Sequence, residues 1–392
     1  MGLPFSSCAR ATLARARVFL AVIATSAFAV AGPATVHGQT APDPQLLERA
    51  RQIHERVVVL DTHVDIEPEY FSGAGPNYVT GIDSTQVDLP SMEAGGLDAA
   101  FFSLYQEQGD DLTPAGYADA FAIAMDKLLA IRRLTTEMAP DRIGLATSAD
   151  DVRRIAGEGR LVALLGMENG YALGENAGNV RRFAELGVRY LSLAHNGNNQ
   201  LADSNTSEAD GTRWNGLSRL GQEVVAEANR WGVVLDISHP SKEANLQTMA
   251  LSRAPVMASH SSVRGLTDHA RNLDDEQLLA LARNGGVVHV TAYPAFLRIP
   301  GREGRVGVTE LVDHIDYIVD LIGIDHVGIS SDFDGGGGIE GWDDASETPN
   351  VTLELVRRGY SEVDIAKIWG GNVLRVLEEA ERVSREIRAA SN

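Results

Sequence analysis

Cysteine is almost absent from this chain. The 392 residues include a single cysteine, Cys8, which lies near the amino terminus ahead of an apolar run. The rest of the chain therefore forms no disulfide and offers no thiolate to a metal. If the protein binds zinc, nitrogen and oxygen atoms of histidine and carboxylate side chains must hold the ion.

Positive charge is also scarce. The chain has 34 lysine and arginine residues against 54 aspartate and glutamate residues, which gives a formal net charge of −20. This negative charge opposes binding to nucleic acid or to an anionic membrane. The hydrophobic content of 44% is that of an ordinary globular protein.

The amino-terminal apolar run, Val18 to Ala31, is too short to span a membrane comfortably, because a spanning helix needs about 20 apolar residues. Three arginines precede this run, and alanines alternate at its end, which is the layout of a secretory signal peptide. Cleavage is expected after Ala29 or Ala31. We therefore predict a signal peptide and short linker over residues 1–40, one domain over residues 41–392, and export to the periplasm or the medium of a bacterium.

A candidate site begins where the first predicted strand ends. Three valines and a leucine predict a buried strand that runs into His63 and Asp65. Residues two apart on an extended chain point the same way, so these side chains can hold one ion together. An imidazole nitrogen and a carboxylate oxygen suit a zinc-like metal. An acidic turn that contains a histidine by chance is the alternative.

Seven further apolar runs predict strands: Asp98–Leu104, Leu161–Gly166, Tyr190–Ala194, Val233–Ser238, Pro255–Ser259, Val287–Thr291 and Val327–Ser331. Helix-like stretches such as Leu217–Arg230 and Asp274–Arg283 separate most of them. This alternation indicates a parallel sheet covered by helices, an α/β fold. Eight strands in about 350 residues predict a closed (β/α)8 TIM-like barrel. A doubly wound open sheet is the alternative architecture.

Six of the eight predicted strands lead into residues that can bind a metal or carry a proton: His63, Asp65, Glu168, His195, His239, His260 and Asp332. The active site of a barrel enzyme lies at the carboxyl ends of its strands, so these side chains are expected to converge. A core histidine or a solvated carboxylate explains any one of them but not the recurrence. We interpret the remaining histidines of the domain as surface or structural residues: His54, His269, His289, His314 and His326.

The candidate ligands are His63, Asp65, Glu168, His239 and His260, with His195 and Asp332 nearby. Five to seven candidates are too many for one catalytic zinc, which takes about three protein ligands, but they suit two ions. Paired ions need an anionic bridging group. Glu168 follows a strand directly and is the predicted bridge. A bridging carbamylated lysine has no candidate position, because none of the three lysines directly follows a strand: Lys127, Lys242 and Lys367. The alternative for Glu168 is a carboxylate at the start of a helix.

Such a site predicts metal-assisted hydrolysis. Asp332 closes the last strand and is the predicted proton carrier. His195 leads into a loop and can donate to a developing oxyanion. The guanidinium of Arg271 suits a substrate carboxylate, which it can bind through two hydrogen bonds. A surface ion pair with Asp274 or Asp275 explains Arg271 equally well.

In their order and spacing these residues resemble the membrane dipeptidase (renal dipeptidase) family of the amidohydrolase superfamily, from about Ile53 to Leu377. The resemblance rests on these motifs: Asp61-Thr-His63-Val-Asp65, Gly166-Met-Glu168, Leu193-Ala-His195-Asn, Leu235-Asp-Ile-Ser-His239, Ser259-His260-Ser-Ser, Ala270-Arg271-Asn272 and Ser331-Asp332-Phe-Asp-Gly. It implies a barrel of the metal-dependent hydrolase type that holds two zinc ions.

The family pattern also implies how the ligands divide. His63 and Asp65 would bind one ion, His239 and His260 the other, and Glu168 would bridge them. Animal members carry disulfides and a lipid anchor, and this chain is expected to have neither.

For the substrate, the resemblance implies that His195 contacts the scissile carbonyl, Arg271 the carboxylate and Asp332 the departing amine. Two departures stand out: Val64 lies where many members have asparagine, and the loop after His195 reads Asn-Gly-Asn-Asn-Gln-Leu-Ala-Asp. Neither removes a ligand, but the loop bears on which side chains the pocket accepts.

Together these features predict a zinc-dependent dipeptidase that hydrolyses free dipeptides through a hydroxide held between two metal ions. Its predicted partners are small dipeptides, with no nucleic acid and no membrane anchor after signal cleavage, and a homodimer is left open. One alternative is another amidohydrolase activity, on N-acyl amino acids or β-lactams. The other is a non-catalytic exported binding protein, which is disfavoured because no ligand is missing.

Overall fold

The computed structural model describes residues 43–73, 75–109 and 112–391. The predicted signal peptide and linker, residues 1–40, lie outside the described residues. Within the described part of the chain, no helix combines the length and the apolar character needed to cross a membrane. From Asp43 onward the chain forms one compact unit.

Nine strands form one parallel sheet: β1 (Leu60–Val64), β2 (Ala99–Ser103), β3 (Ile143–Leu145), β4 (Leu161–Met167), β5 (Val188–Ser192), β6 (Val234–Asp236), β7 (Met257–Ser261), β8 (Val287–Thr291) and β9 (Val327–Ser330). Eight of them follow one another in the order β1-β2-β4-β5-β6-β7-β8-β9. The ring closes where Val64 bridges to Phe333, just beyond β9, and the Asp65 N–H donates to the Phe333 carbonyl at 2.9 Å. The predicted (β/α)8 barrel is confirmed.

All eight predicted strands are present, and their ends differ from the predicted ends by a few residues. The sequence did not predict β3, which has three residues and is too short to make a pattern. It pairs with Leu161–Ala163 at the start of β4, whereas β5 pairs with Leu165–Met167 at its end. β3 therefore lies beside the start of β4, away from the mouth.

Thirteen α-helices lie in the described chain: α1 (Pro44–His54), α2 (Leu89–Gly95), α3 (Pro114–Arg133), α4 (Ala149–Gly157), α5 (Asn179–Glu185), α6 (Arg219–Trp231), α7 (Lys242–Leu251), α8 (Asp275–Asn284), α9 (Pro294–Leu297), α10 (Val308–Ile322), α11 (Pro349–Arg357), α12 (Glu362–Ala366) and α13 (Asn372–Ala390). Short 3-10 helices lie at Pro68–Tyr70, Gly170–Leu173, Asn205–Ser207, Ile324–His326 and Ala345–Glu347, and π-helical turns at Leu134–Met138 and Lys367–Gly371.

The predicted helix Leu217–Arg230 corresponds to α6, and its ends have local causes. The Ser218 side chain accepts from the Gly221 N–H and caps the first turn, and Gly232 ends the helix with φ of 69°, a conformation that glycine adopts without a steric cost. The face with Val224, Val225 and Ala228 is buried toward the barrel. The predicted helix Asp274–Arg283 corresponds to α8, and a capping box at Asp274 begins it.

The floor of the barrel is apolar, and its mouth is polar. Leu60, Phe101 and Leu164, from three strands, share a buried cluster with Leu374 and Leu377 of α13, so the last helix packs against the inner strand residues. The chemistry-bearing side chains lie at the carboxyl ends of the strands, at the opposite end of the barrel.

Candidate active site

The sequence-predicted site residues meet at the carboxyl end of the barrel. Seven of the eight line one cavity of about 490 Å³: Asp65, Glu168, His195, His239, His260, Arg271 and Asp332. The eighth, His63, is fully buried behind them. His63 and His260 lie within β1 and β7 rather than after them, and Glu168 directly follows β4. The remaining members lie beyond the strand ends.

One group of ligand atoms forms around His63. Its Nε2 lies 3.5 Å from Asp65 Oδ2 and 3.2 Å from Glu168 Oε2. Its Nδ1 is held by the Tyr190 hydroxyl at 2.7 Å. Tyr190 occupies the space beside Gly166, where a Cβ would lie 2.0 Å from its ring. The tyrosine therefore fixes the imidazole so that Nε2 faces the two carboxylates.

A second group forms on the other oxygen of Glu168. Oε1 lies 3.0 Å from His239 Nε2 and 3.5 Å from His260 Nε2, and these two nitrogens are 2.9 Å apart. Ser259 holds His260 Nδ1 at 2.8 Å, and its hydroxyl donates to Asp236 at 2.8 Å. Such hydrogen bonds to the far nitrogen orient histidine ligands in metal proteins.

The spacing of both groups fits a metal. Ligand atoms 2.0–2.2 Å from a tetrahedral zinc lie about 3.3 Å from one another. The distances within the two groups, from 2.9 to 3.5 Å, fall on either side of that value. Each group offers three atoms that could hold one ion, and Glu168 is common to both. Asp332 forms a third possible group with His63 and His260.

At the second group, the surroundings of His239 and Glu168 favour the protonation states in which these side chains can bind a metal. Burial, followed by the positive charge of Arg271, holds the pKa of His239 well below its usual value, so its imidazole is neutral. Burial alone would raise the pKa of Glu168, but the charge of His63 outweighs it and holds that pKa well below its usual range. Neutral imidazole and ionised carboxylate are the forms that bind metals.

His63 differs from the other two histidines. Burial disfavours a proton on it, yet Tyr190 and the carboxylate of Glu168 outweigh burial and raise the pKa of His63 well above its usual value. The carboxylates of Glu168 and Asp65 thus favour positive charge at Nε2, which either a proton or a metal ion can provide.

Asp332 and His195 flank the two groups. Asp332 Oδ1 lies 3.8 Å from His63 Nε2, and its backbone has a φ of 60°. Burial raises the pKa of Asp332 to about 7, and the charges of Asp65 and Glu168 act in the same direction. His195 Nε2 lies 3.5 Å from Glu168 Oε1. A carboxyl group that titrates near neutral pH can both accept and release a proton.

Arg271 points into the site. Its guanidinium donates to the carbonyl of Ser238, to the carbonyl of His260 at 3.3 Å and to His239 Nε2 at 2.9 Å. The alternative surface ion pair is not formed, because Asp274 pairs with Lys242 and Asp275 accepts from a tyrosine hydroxyl.

The structure adds cavity residues that the sequence did not single out: Tyr105, Lys127, Tyr293 and Phe296. Tyr105 and Tyr293 each lie two residues beyond a strand that lacked a predicted ligand, and that position was the available signal. Lys127 lies within α3, where nothing in the sequence pattern marks it. His269, interpreted as a surface or structural residue, also lines the cavity, and its Nδ1 accepts from the Arg271 N–H at 3.1 Å.

The other histidines lie outside both groups. His54 contacts Thr352 and the Gly95 carbonyl, and His289 contacts the Ala258 carbonyl, so both are buried structural residues. Among the described residues, the groups that could hold a metal contain no histidine besides His63, His239 and His260.

A parallel (β/α)8 barrel with histidines and carboxylates gathered at its mouth is the architecture of a metal-dependent hydrolase. This chain belongs to the membrane dipeptidase family, Peptidase family M19, whose sequence profile matches residues 47–391. The predicted family resemblance and the prediction of a metallo-dipeptidase are confirmed.

Individual relatives agree with this assignment. Dipeptidase aclJ of Aspergillus oryzae is 38% identical over 308 residues, which cover 77% of this chain and 72% of that protein. The crystal structure of the probable dipeptidase PvdM from Pseudomonas aeruginosa is 33% identical, with a TM-score of 0.79 over 86% of this chain and 99% of that one. A metallo peptidase from Rhodobacter sphaeroides, liganded with a phosphinate mimic of the dipeptide L-Ala-D-Ala, is 26% identical, with a TM-score of 0.72 over 83% of this chain and 99% of that one.

Proposed function

We propose that this protein is a zinc-dependent dipeptidase with two metal ions at the mouth of its barrel. His63 and Asp65 would hold one ion, His239 and His260 the other, and Glu168 would bind both. The observation that carries the proposal is the position of the Glu168 carboxylate: Oε2 faces His63 Nε2 at 3.2 Å, and Oε1 faces His239 Nε2 at 3.0 Å. One carboxylate with its two oxygens turned to separate ligand groups is suited to bridging a pair of ions.

When bound, the two ions would supply Lewis acidity at the substrate carbonyl and would lower the pKa of a water molecule, so that it loses a proton and becomes a stronger nucleophile. The chain then has to steady negative charge on the carbonyl oxygen and move a proton to the departing amine. His195 is suited to the first task, because its Nε2 reaches the cavity beside Glu168. Asp332 is suited to the second, because its carboxyl group lines the same cavity and has a pKa of about 7.

We infer that the substrates are free dipeptides. A cavity of about 490 Å³ has room for a small molecule rather than for a folded chain. The buried guanidinium of Arg271 offers a carboxylate partner in the same cavity, as the free carboxyl end of a dipeptide requires. A dipeptide mimic bound to the Rhodobacter sphaeroides relative also supports this substrate class.

The order of positive charge, apolar run and small residues at the amino terminus supports export, with residues 1–40 as signal peptide and linker and residues 41–392 as the metallohydrolase domain. The excess of negative charge supports the proposal that nucleic acid is not a partner of this protein.

Zinc titration tests the proposal. Metal-depleted protein is supplied with increasing zinc, and hydrolysis of L-Ala-L-Ala is measured together with bound metal. Activity should rise and level off at two ions per chain, because the described site offers two ligand groups joined by Glu168. Full activity with one ion per chain would contradict the dinuclear site. Hydrolysis of N-acetyl amino acids, but of no dipeptide, would contradict the substrate class.

Replacing Arg271 with alanine should raise KM for free dipeptides roughly 10- to 100-fold, the usual worth of a hydrogen bond to a charged group. Dipeptide amides, which lack the carboxylate, should be affected much less. Steady-state kinetics on matched acid and amide substrates measures the difference.

Arg271 also donates to the carbonyls of Ser238 and His260, so its loss leaves buried acceptors unpaired. Arg271→Lys keeps the positive charge but not the paired N–H donors of the guanidinium. This variant separates local disruption from loss of substrate binding. An equal defect on acids and amides in both variants would rule out the carboxylate role.

A further inference from the structure

Lys127 is a buried lysine whose ammonium group faces the cavity. Its side chain lines the same cavity as the metal-capable groups, although it comes from the middle of α3, and the residue is only 5% exposed. Among the described residues, none forms a hydrogen bond or ion pair with it, and its one polar contact is the ring of Tyr105, 5.5 Å from Nζ to the ring centre. The other two lysines both have carboxylate partners: Lys242 with Asp274 and Glu276, and Lys367 with Asp325, each at 2.7 Å.

A lysine with so little exposed surface costs free energy unless it gains a counter-charge, and the described residues provide none. The neighbouring buried positions of α3 are apolar: Ala120, Ala124, Leu128 and Ile131. An apolar side chain at position 127 would continue that face at a lower cost. The positive charge of Lys127 is therefore explained if an anion enters the cavity and pairs with it.

The position of Lys127 relative to Arg271 indicates which part of a substrate this anion belongs to. A row of rings connects the two cations: Tyr105 contacts His195 at 4.7 Å between ring centres, and His195 contacts His239 at 4.1 Å. Arg271 then lies 2.9 Å from His239 Nε2, at the far end of that row. Three rings thus separate Lys127 from Arg271 along the lining of the cavity. If Arg271 takes the carboxylate of the carboxyl-terminal residue, Lys127 is placed to meet the amino-terminal residue.

We propose that Lys127 and Tyr105 form an anion subsite that recognises an acidic side chain on the amino-terminal residue of the dipeptide. This inference rests on the proposed dipeptidase function and names a preferred substrate class, dipeptides of the L-Glu-X type. The ammonium supplies the charge, and the tyrosine ring keeps it stable while the subsite is empty.

The test compares L-Glu-L-Ala with L-Gln-L-Ala, which differ in charge but hardly in shape, and with L-Ala-L-Glu. The zinc-loaded wild type should show a kcat/KM about tenfold higher for L-Glu-L-Ala than for L-Gln-L-Ala, in line with a charge-assisted hydrogen bond. In Lys127→Met, which keeps most of the length of the side chain but not its charge, this ratio should fall to one or below. Lys127→Arg should keep a ratio above one.

Lys367→Met is the matched control, because it removes one positive charge from the same chain at a lysine paired with Asp325 outside the cavity. Its ratio should equal that of the wild type. A second experiment measures, by calorimetry, the affinities of phosphinate analogues of the glutamyl and glutaminyl dipeptides. This measurement does not depend on turnover.

Each outcome separates the subsite from the dipeptidase function. Hydrolysis of L-Ala-L-Ala with no glutamyl preference, or an equal loss for all substrates in Lys127→Met, would overturn the subsite and leave the function standing. A preference for L-Ala-L-Glu would overturn the assignment to the amino-terminal residue. Lys127-dependent binding of the glutamyl analogue without hydrolysis of any dipeptide would support the subsite and overturn the function.

Discussion

Replacing Glu168 with glutamine should remove tightly bound zinc and lower dipeptide hydrolysis by about 10³-fold or more, since the ions would supply several kcal/mol of transition-state stabilisation. An amide offers one neutral oxygen instead of two charged ones, so it cannot serve both ligand groups that the carboxylate faces. Metal analysis after gel filtration and kcat on L-Ala-L-Ala measure the two losses together.

The thermal unfolding of Glu168→Gln shows whether the fold survives. Ions that bind only the native state stabilise it, so the Tm of this variant should match that of chelated wild-type protein rather than fall far below it. Ser103→Ala is the matched control, because Ser103 donates to Glu168 Oε2 at 3.0 Å and its loss leaves the carboxylate in place. That variant should bind zinc up to about 100-fold more weakly and recover its activity in excess zinc. Two retained ions and full activity in Glu168→Gln would show that Glu168 is not the bridge.

Replacing Asp332 with asparagine should lower kcat by roughly 10²- to 10⁴-fold, the usual worth of general acid–base help. Zinc content should change little, because the two ligand groups joined by Glu168 keep all their members when Asp332 is replaced. Asparagine keeps the size and one oxygen of the side chain but cannot accept and release the proton. Single-turnover kinetics with metal analysis tests both parts.

Asp334→Asn provides the control for this change. Asp334 is two residues further along the same loop and also has a left-handed backbone, with φ of 61° against 60° for Asp332. Its carboxylate accepts from the Gln86 N–H at 2.8 Å, and an amide oxygen can accept the same hydrogen bond. The control should therefore retain kcat within a few-fold of wild type. An equal loss in the two variants, or loss of zinc from Asp332→Asn, would count against a proton carrier at position 332.

The strands were predictable because buried parallel strands appear in a sequence as continuous apolar runs. The residues His63, Glu168 and His260 were found for a related reason: parallel strands of a barrel have their carboxyl ends at one face, so strand position alone brings them together. β3 was missed because three residues carry no pattern. The stretch that forms α8 was predicted from its content of helix-forming residues, and the helix begins one residue after the predicted start at Asp274.

The sequence by itself determined the barrel, the family and the side chains that gather at its mouth, since these depend on local patterns and on motif order. Only the tertiary structure decided which atoms face each other. It turned the two oxygens of Glu168 to separate groups, set the Tyr190 hydroxyl against His63 Nδ1, directed Arg271 inward and brought Lys127 to the cavity. Residues 63 and 190 are 127 positions apart in the chain. Their contact exists because β1 and β5 belong to one closed barrel, and no local sequence pattern predicts a contact between residues so far apart in the chain.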